Sequence, residues 1–158
     1  MKSLKTTITF LICLLLPLAI GGLSGFATAS GIHDWYATLH KPTFNPPNYL
    51  FGPVWTTLYL LMGISLFIIW RSPAATVRTK GLGIFAIQLT LNFFWSFLFF
   101  KYNLVGIALL EIVMIWISIL MMIITFIRVS KFAGYLQIPY LLWVSFATIL
   151  NGSIWLLN

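Results

Sequence analysis

Long uncharged stretches alternate with short charged separators along the chain. Reading for such stretches gives 6–29, 50–70, 81–100, 104–127 and 132–157, and the one acid among them is Glu111. A helix needs roughly 20 apolar residues to cross the hydrocarbon core of a bilayer. Each stretch meets that length, so the pattern predicts an all-α membrane protein, a bundle of five transmembrane helices forming a single domain over 1–158. The separators are short except for 30–49, which reads as one long loop.

Charge then orients the bundle. Lys2, Lys5, Arg71, Arg78, Lys80, Arg128 and Lys131 fall on one side, and Lys41 and Lys101 on the other. Seven basic residues against two place the N-terminus in the cytoplasm. The long loop, the third loop and the C-terminus then face outward. Lys2 and Lys5 followed by an apolar run and Ala27-Thr28-Ala29 also resemble a cleavable signal. The run is longer than a usual signal core, however. Gly21, Gly25 and Ala29 are spaced for close helix packing. A retained helix is expected.

The polar residues inside the spans are arranged in stripes. Gln88, Asn92, Trp95 and Phe99 share one face of the third helix, with Gly83, Ala86 and Thr90 nearly opposite. Tyr140, Trp143, Ala147 and Asn151 share a face of the fifth, and Trp55 and Tyr59 lie one turn apart in the second. All fall at mid-depth or above, toward the outer side. Unpaired amides are costly in hydrocarbon, so these stripes are expected to converge on a pocket beneath the long loop. The alternative uses are ordinary ones. Trp70 beside Arg71, and Trp155, read as interfacial anchors, and Trp116 as packing. Asn92 and Asn151 also serve as interhelical glue in such bundles. Glu111 reads as a protonated or interface-reaching carboxyl. Pro139 and Pro17 are expected to bend their helices, whereas Pro53 is tolerated in a first turn. Gly83, Ala86 and Thr90 form the expected subunit contact.

Composition narrows the function. Of 158 residues, 61% are hydrophobic and 7% charged, with a net charge of +7, and the mean hydropathy is +1.02. Lipid solvates such a surface where water does not. The basic residues are scattered in separators rather than clustered, so no nucleic-acid partner is expected. Cys13 is the only cysteine, which excludes a disulfide framework and a Cys/His metal cluster. His33 and His40 read as solvated residues of the long loop. With no histidine in a span, axial ligation of haem iron is not expected, and no cofactor is required.

The long loop reads Trp35-Tyr36-Ala37-Thr38-Leu39-His40-Lys41-Pro42-Thr43-Phe44-Asn45-Pro46-Pro47, and its three prolines stiffen it. Beyond it come Gly52-Pro53-Val54-Trp55…Leu58-Tyr59, Gln88…Leu91-Asn92…Trp95-Ser96, and Pro139-Tyr140-Leu141…Trp143…Phe146-Ala147-Thr148…Leu150-Asn151…Trp155…Asn158. In these motifs, taken in order over nearly the whole chain, the sequence resembles the translocator protein / tryptophan-rich sensory protein family (TspO/MBR), formerly called peripheral-type benzodiazepine receptors. The resemblance implies a five-helix bundle, usually a homodimer, that binds porphyrins such as protoporphyrin IX and haem. It also implies that synthetic isoquinoline and benzodiazepine ligands share the pocket. The positions matching the family's pocket are Tyr36, Pro46, Trp55, Tyr59, Asn92, Trp95, Trp143 and Ala147. Some bacterial relatives degrade protoporphyrin in light, which casts Trp55 and Trp143 as catalytic if such chemistry occurs here. Animal members carry a C-terminal cholesterol-recognition pattern of a Tyr and then a basic residue. The stretch 147–158 has neither, so steroid transport is not expected.

Three functions remain open at this point: a tetrapyrrole sensor or scavenger, a light-dependent protoporphyrin-degrading enzyme, and a transporter of porphyrins or other small apolar ligands. A single intramembrane acid and no evident inverted repeat count against coupled transport. The cell membrane is the expected location.

Overall fold

A computed structural model describes residues 2–158, the side chains of Lys2, Ser3 and His33 excepted. Expectations resting on the side chains of Lys2 and His33 therefore lie outside the described residues. The described chain is helical, with five spans long and apolar enough to cross a membrane. Helix α1 covers Lys2–His33, α2 is a short turn at Trp35–Thr38, α3 covers Asn48–Arg71 and α4 Thr76–Ser96. A π-helical turn, Phe97–Lys101, follows α4; then come α5 (Val105–Val129), α6 (Lys131–Tyr135) and α7 (Ile138–Leu157). The protein is an integral, multi-pass membrane protein.

The first and fifth spans differ from the hydropathy reading. Helix α1 continues past 29 through polar Ser30 to His33, so His33 ends a helix rather than sitting in the loop. Backbone hydrogen bonding carries a helix beyond the point where hydropathy drops. The connection therefore starts at Asp34 and contains α2. The fifth span is not one bent helix but two, α6 and α7, separated at Leu136 and Gln137. Pro139 lies in the first turn of α7, where its missing N–H breaks no helical bond. Helix α1 runs through Pro17 without interruption.

The bundle is arranged inside-out relative to a soluble protein. Leu23, Phe26, Leu110, Leu142 and Leu156 are exposed, whereas Gln88, Gln137 and Asn151 are buried. Hydrocarbon solvates the former, and the latter find partners only within the bundle. Helix α1 packs between α3 and α4, α5 packs against α4 and α7, and α6 reaches α3. The half farther from the long loop is the more tightly filled. Met62, Ile69, Ile119, Met122 and Phe126 are fully buried there. A Cβ at Gly63 would stand 2.6 Å from Leu14 Cα and 2.9 Å from the Cys13 carbonyl, so α1 and α3 touch backbone to backbone. Phe10 meets Phe67 edge-on at 5.1 Å, and an Arg71 guanidinium N–H donates to Thr6 Oγ1 at 2.8 Å. Helix α6 is tied to α3 by Ser65, whose hydroxyl donates to the Ala133 carbonyl at 2.7 Å.

Near the loop end the π-helical turn resets the register of α4. The Tyr102 N–H bonds back to the Phe97 carbonyl at 2.9 Å, and Asn103 takes φ 58°, which asparagine tolerates. Phe99, within this turn, faces inward and is 2% exposed.

Of the residues read as interfacial anchors, Trp70 is half-exposed. Trp155 is also half-exposed, and its indole lies over Gly106. Trp116 is more than packing: its indole N–H donates to Ser145 Oγ at 2.7 Å, joining α5 to α7.

Candidate functional site

A cavity of about 400 Å³ lies beneath the long loop, walled by α1, α2, α3, α4, the π turn and α7. Tyr36, Trp55, Tyr59, Asn92, Trp95, Trp143 and Ala147 all line it. The stripes of three helices and one loop residue therefore meet in one space, as side-chain periodicity predicted. Pro46 is the exception. It is half-buried in the loop and outside the lining, and its carbonyl accepts from Asn45 Nδ2 at 3.1 Å.

The floor is a buried chain of hydrogen bonds. The Tyr59 hydroxyl donates to Asn92 Oδ1 at 2.8 Å, Asn92 Nδ2 donates to the Tyr140 hydroxyl at 3.0 Å, and that hydroxyl donates to Gln88 Oε1 at 2.9 Å. Four polar side chains from α3, α4 and α7 thus satisfy one another where lipid offers nothing, leaving Gln88 Nε2 unpartnered. Trp55 stacks on Tyr59 with centroids 5.5 Å apart and meets Tyr140 edge-on at 6.2 Å.

A second polar link crosses the wall. Trp95 Nε1 donates to Asn151 Oδ1 at 3.3 Å, and Asn151 Nδ2 donates to the Val105 carbonyl at 3.0 Å, at the start of α5. Trp95 also stacks on Phe99 at 5.1 Å. Trp143 faces Phe51 at 5.9 Å, and its buried indole N–H has no hydrogen-bond partner. The wall is therefore mainly aromatic, which suits a largely apolar ligand.

The roof is the loop, held at several points. The Tyr36 hydroxyl donates to Asn45 Oδ1 at 2.8 Å, and Lys41 Nζ lies 4.7 Å above the Tyr36 ring. Burial pushes the Tyr36 phenol up to about 12, so it stays protonated and donating. Phe44 meets Phe146 edge-on at 6.3 Å. The His40 N–H donates to Asn158 Oδ1 at 2.9 Å and Asn158 Nδ2 returns a bond to the His40 carbonyl at 3.0 Å.

Glu111 lies off the cavity wall. Its side chain is buried rather than reaching the interface, with Oε2 unpartnered. Sequence reasoning missed the contribution of α1. Ser24 and Thr28 line the cavity beside Gly21 and Gly25, and both hydroxyls are satisfied by α1 carbonyls. The small-residue spacing read as helix packing, and only half of it is that. Gly21 lies against the Tyr59 ring, whereas Gly25 meets nothing. The i, i+4 pair Ser24 and Thr28 on the same side was the available signal. Phe99, on the inward stripe of the third span, lines the cavity as expected, whereas Phe51 and Phe100 were missed, because phenylalanine in a transmembrane span carries no contrast with its surroundings.

Comparison with known proteins agrees with this architecture. The sequence model of the TspO/MBR family matches residues 13–156. The chain is 42% identical to the tryptophan-rich protein TspO of Chlorobaculum tepidum, over 98% of both chains. It is 44% identical to the protein of the same name from Archaeoglobus fulgidus, over 92% of this chain and 94% of that one. The translocator protein of Homo sapiens is 34% identical, over 84% of this chain and 79% of its own. With the family match spanning five helices and the aromatic cavity between them, this chain belongs to the TspO/MBR family.

Proposed function

We propose that this protein binds porphyrins of the protoporphyrin IX type in the cavity beneath the loop, and acts as a tetrapyrrole sensor or scavenger in the cell membrane. The observation that carries this reading is an aromatic-walled space of about 400 Å³ that Trp55, Trp95 and Trp143 line together. A porphyrin is flat and apolar, with ring nitrogens and two carboxylates as acceptors. Trp55, Trp95 and Trp143 offer ring faces and edges, each aromatic contact contributing about 0.5–1.5 kcal/mol beyond area burial. Lys41, over the Tyr36 ring in the loop, is a cation that a propionate could meet. Free-base porphyrin suits the site better than haem, since none of the lining residues is a histidine, cysteine or methionine, and the two lining tyrosines, Tyr36 and Tyr59, have their hydroxyls engaged by Asn45 and Asn92. Isoquinoline and benzodiazepine-type ligands belong to the same reading, because they too are flat aromatics with a carbonyl acceptor.

The test is titration of the membrane-reconstituted protein with protoporphyrin IX, followed by tryptophan fluorescence. Saturable quenching that weakens in Trp143→Ala supports the proposal. No saturable quenching, or quenching that Trp143→Ala leaves intact, removes it.

A second reading has its own observation. Trp55 contacts two phenols, Tyr59 and Tyr140, both hydrogen-bonded to Asn92. Indoles and phenols are the side chains that can give an electron to a photo-excited porphyrin, leaving a porphyrin radical anion and a side-chain radical; with dissolved dioxygen as the terminal oxidant, this supports light-dependent oxidative degradation with Trp55 and Trp143 as donors. Illuminated protein that clears protoporphyrin absorbance faster than Trp55→Phe/Trp143→Phe protein supports an enzyme. Equal rates leave binding without turnover. Transport, the third possibility, is removed by failure to move porphyrin across proteoliposome membranes.

A further inference from the structure

Helices α1 and α3 press together at one end and part at the other, along the same two faces. On α3 the face is Gly63, Thr56 and Gly52, at helical spacings of seven and four. Gly63 abuts the α1 backbone, whereas Gly52 meets nothing within 4 Å. On α1 the matching face runs from Leu14 through Gly21 to Gly25, with Gly22 at its edge. Leu14 is in contact with α3, Gly21 lies against Tyr59, and Gly22 and Gly25 meet nothing within 4 Å. Gly22, Gly25, Gly52 and Thr56 are exposed, and all four line the cavity. A Cβ at Gly22, Gly25 or Gly52 would meet no heavy atom within 4 Å, so no side chain of the opposite helix closes an opening in the wall there. At 1.5 Å rise per residue, Gly52 and Thr56 lie roughly 6–12 Å below the loop end of α3, and Gly25 and Gly22 roughly 12–16 Å below that of α1. That depth is inside the leaflet nearest the loop.

From this opening we infer that the cavity is loaded sideways, from the bilayer, through a glycine-edged slot between α1 and α3, by a flat apolar ligand dissolved in the leaflet. The inference rests on the ligand reading given above for the cavity. Three further features support it. The surface beside the slot is lipid-facing, since Leu23 and Phe26 are 63% and 85% exposed. The route from above is held shut by the paired His40–Asn158 bonds, the Tyr36–Asn45 bond and the Phe44–Phe146 contact. Residues that lack bulk edge the slot, so a planar ring passes between two backbones without a side chain having to swing away.

The experiment measures protoporphyrin IX association and dissociation by stopped-flow tryptophan quenching in lipid nanodiscs, for Gly22→Ala, Gly22→Leu, Gly22→Phe and Asn158→Ala. A plugged slot slows both directions. Association falls with side-chain size, by about tenfold or more at Phe, and dissociation slows alongside it, since each tenfold is about 1.4 kcal/mol of barrier. Asn158→Ala, which frees the loop, leaves both rates as they are. Wild-type rates in Gly22→Phe overturn the slot. So does dissociation that speeds up in Gly22→Phe, which marks lost contacts rather than a blocked route. Faster exchange in Asn158→Ala assigns access to the loop instead. If wild-type protein shows no porphyrin binding, the ligand reading fails and the slot is read without it, in bilayers of acyl-brominated phosphatidylcholine. Quenching assigned to Trp55 by difference from Trp55→Phe protein, and relieved by Gly22→Phe, supports the slot; no Trp55 quenching overturns it.

Discussion

The Tyr59 hydroxyl donates to Asn92 Oδ1 at 2.8 Å, while the same amide donates through Nδ2 to the Tyr140 hydroxyl at 3.0 Å. Both ends of one amide are thereby used, which fixes its orientation and joins α3, α4 and α7 under the cavity. Tyr59→Phe leaves Asn92 Oδ1 buried and unpaired, at a cost of about 1–3 kcal/mol. The expected result is a lower melting temperature by intrinsic fluorescence in detergent. A variant that melts with the wild type contradicts a holding role for this chain of bonds.

Gly63 and Gly83 are expected to respond oppositely to the same change. A side chain at Gly63 runs into α1 backbone, whereas Gly83 meets nothing within 4 Å. Gly63→Val should lose at least the 1–3 kcal/mol, roughly, of an overpacked core, read as poor yield and a lower melting temperature. Gly83→Leu should fold normally.

The face that carries Gly83 also carries exposed Ala86 and Thr90, the stripe proposed as a homodimer contact. Gly83→Leu/Ala86→Leu should retain the monomer's helicity and melting behaviour while shifting sedimentation in detergent toward monomer. An undiminished dimer places the contact elsewhere.

Loop docking should weaken in strong alkali. Burial raises the Tyr36 phenol from 10.0 to about 12. Between those values the unfolded chain has released the proton and the folded chain retains it. Stability contributed by this group is thus full below pH ~10 and declines as pH rises toward 12. Melting curves across that window should show the decline, and Tyr36→Phe should remove this part of it. The same slope in Tyr36→Phe assigns it to other groups.

Asn158→Ala removes both bonds that pin His40. Hydrogen exchange in 40–47 should rise severalfold while exchange in α5 is unchanged, since the two bonds hold the loop and not the bundle. Unchanged loop protection shows that the Tyr36–Asn45 and Phe44–Phe146 contacts suffice.

Much of the architecture was legible in the residues. Five apolar runs define five spans because a bilayer demands both length and apolarity. Asn92, Tyr140 and Asn151 face inward because an unpaired amide or hydroxyl is costly in lipid, so helical spacing alone predicts which stripes converge. The break at Leu136 and Gln137 was less legible. Pro139 signals a disturbance, yet whether a helix bends or restarts depends on local turn bonding and tertiary contact at the break: the Gln137 N–H turns back to the Gly134 carbonyl at 3.1 Å, while its side chain Nε2 donates across to the Leu61 carbonyl at 3.4 Å.

The number of spans and the inward polar stripes follow from the amino acids alone, because the solvent and local periodicity dictate them, and the family follows from the ordered motifs. Packing between the helices was needed to show that Pro46 stays off the cavity wall, that Ser24 and Thr28 join it, and that Gly21 packs while Gly25 opens. One spacing pattern, Gly21 to Gly25, serves both contact and gap. Helical period fixes which way a glycine faces, but the divergence of α1 from α3 decides what it meets.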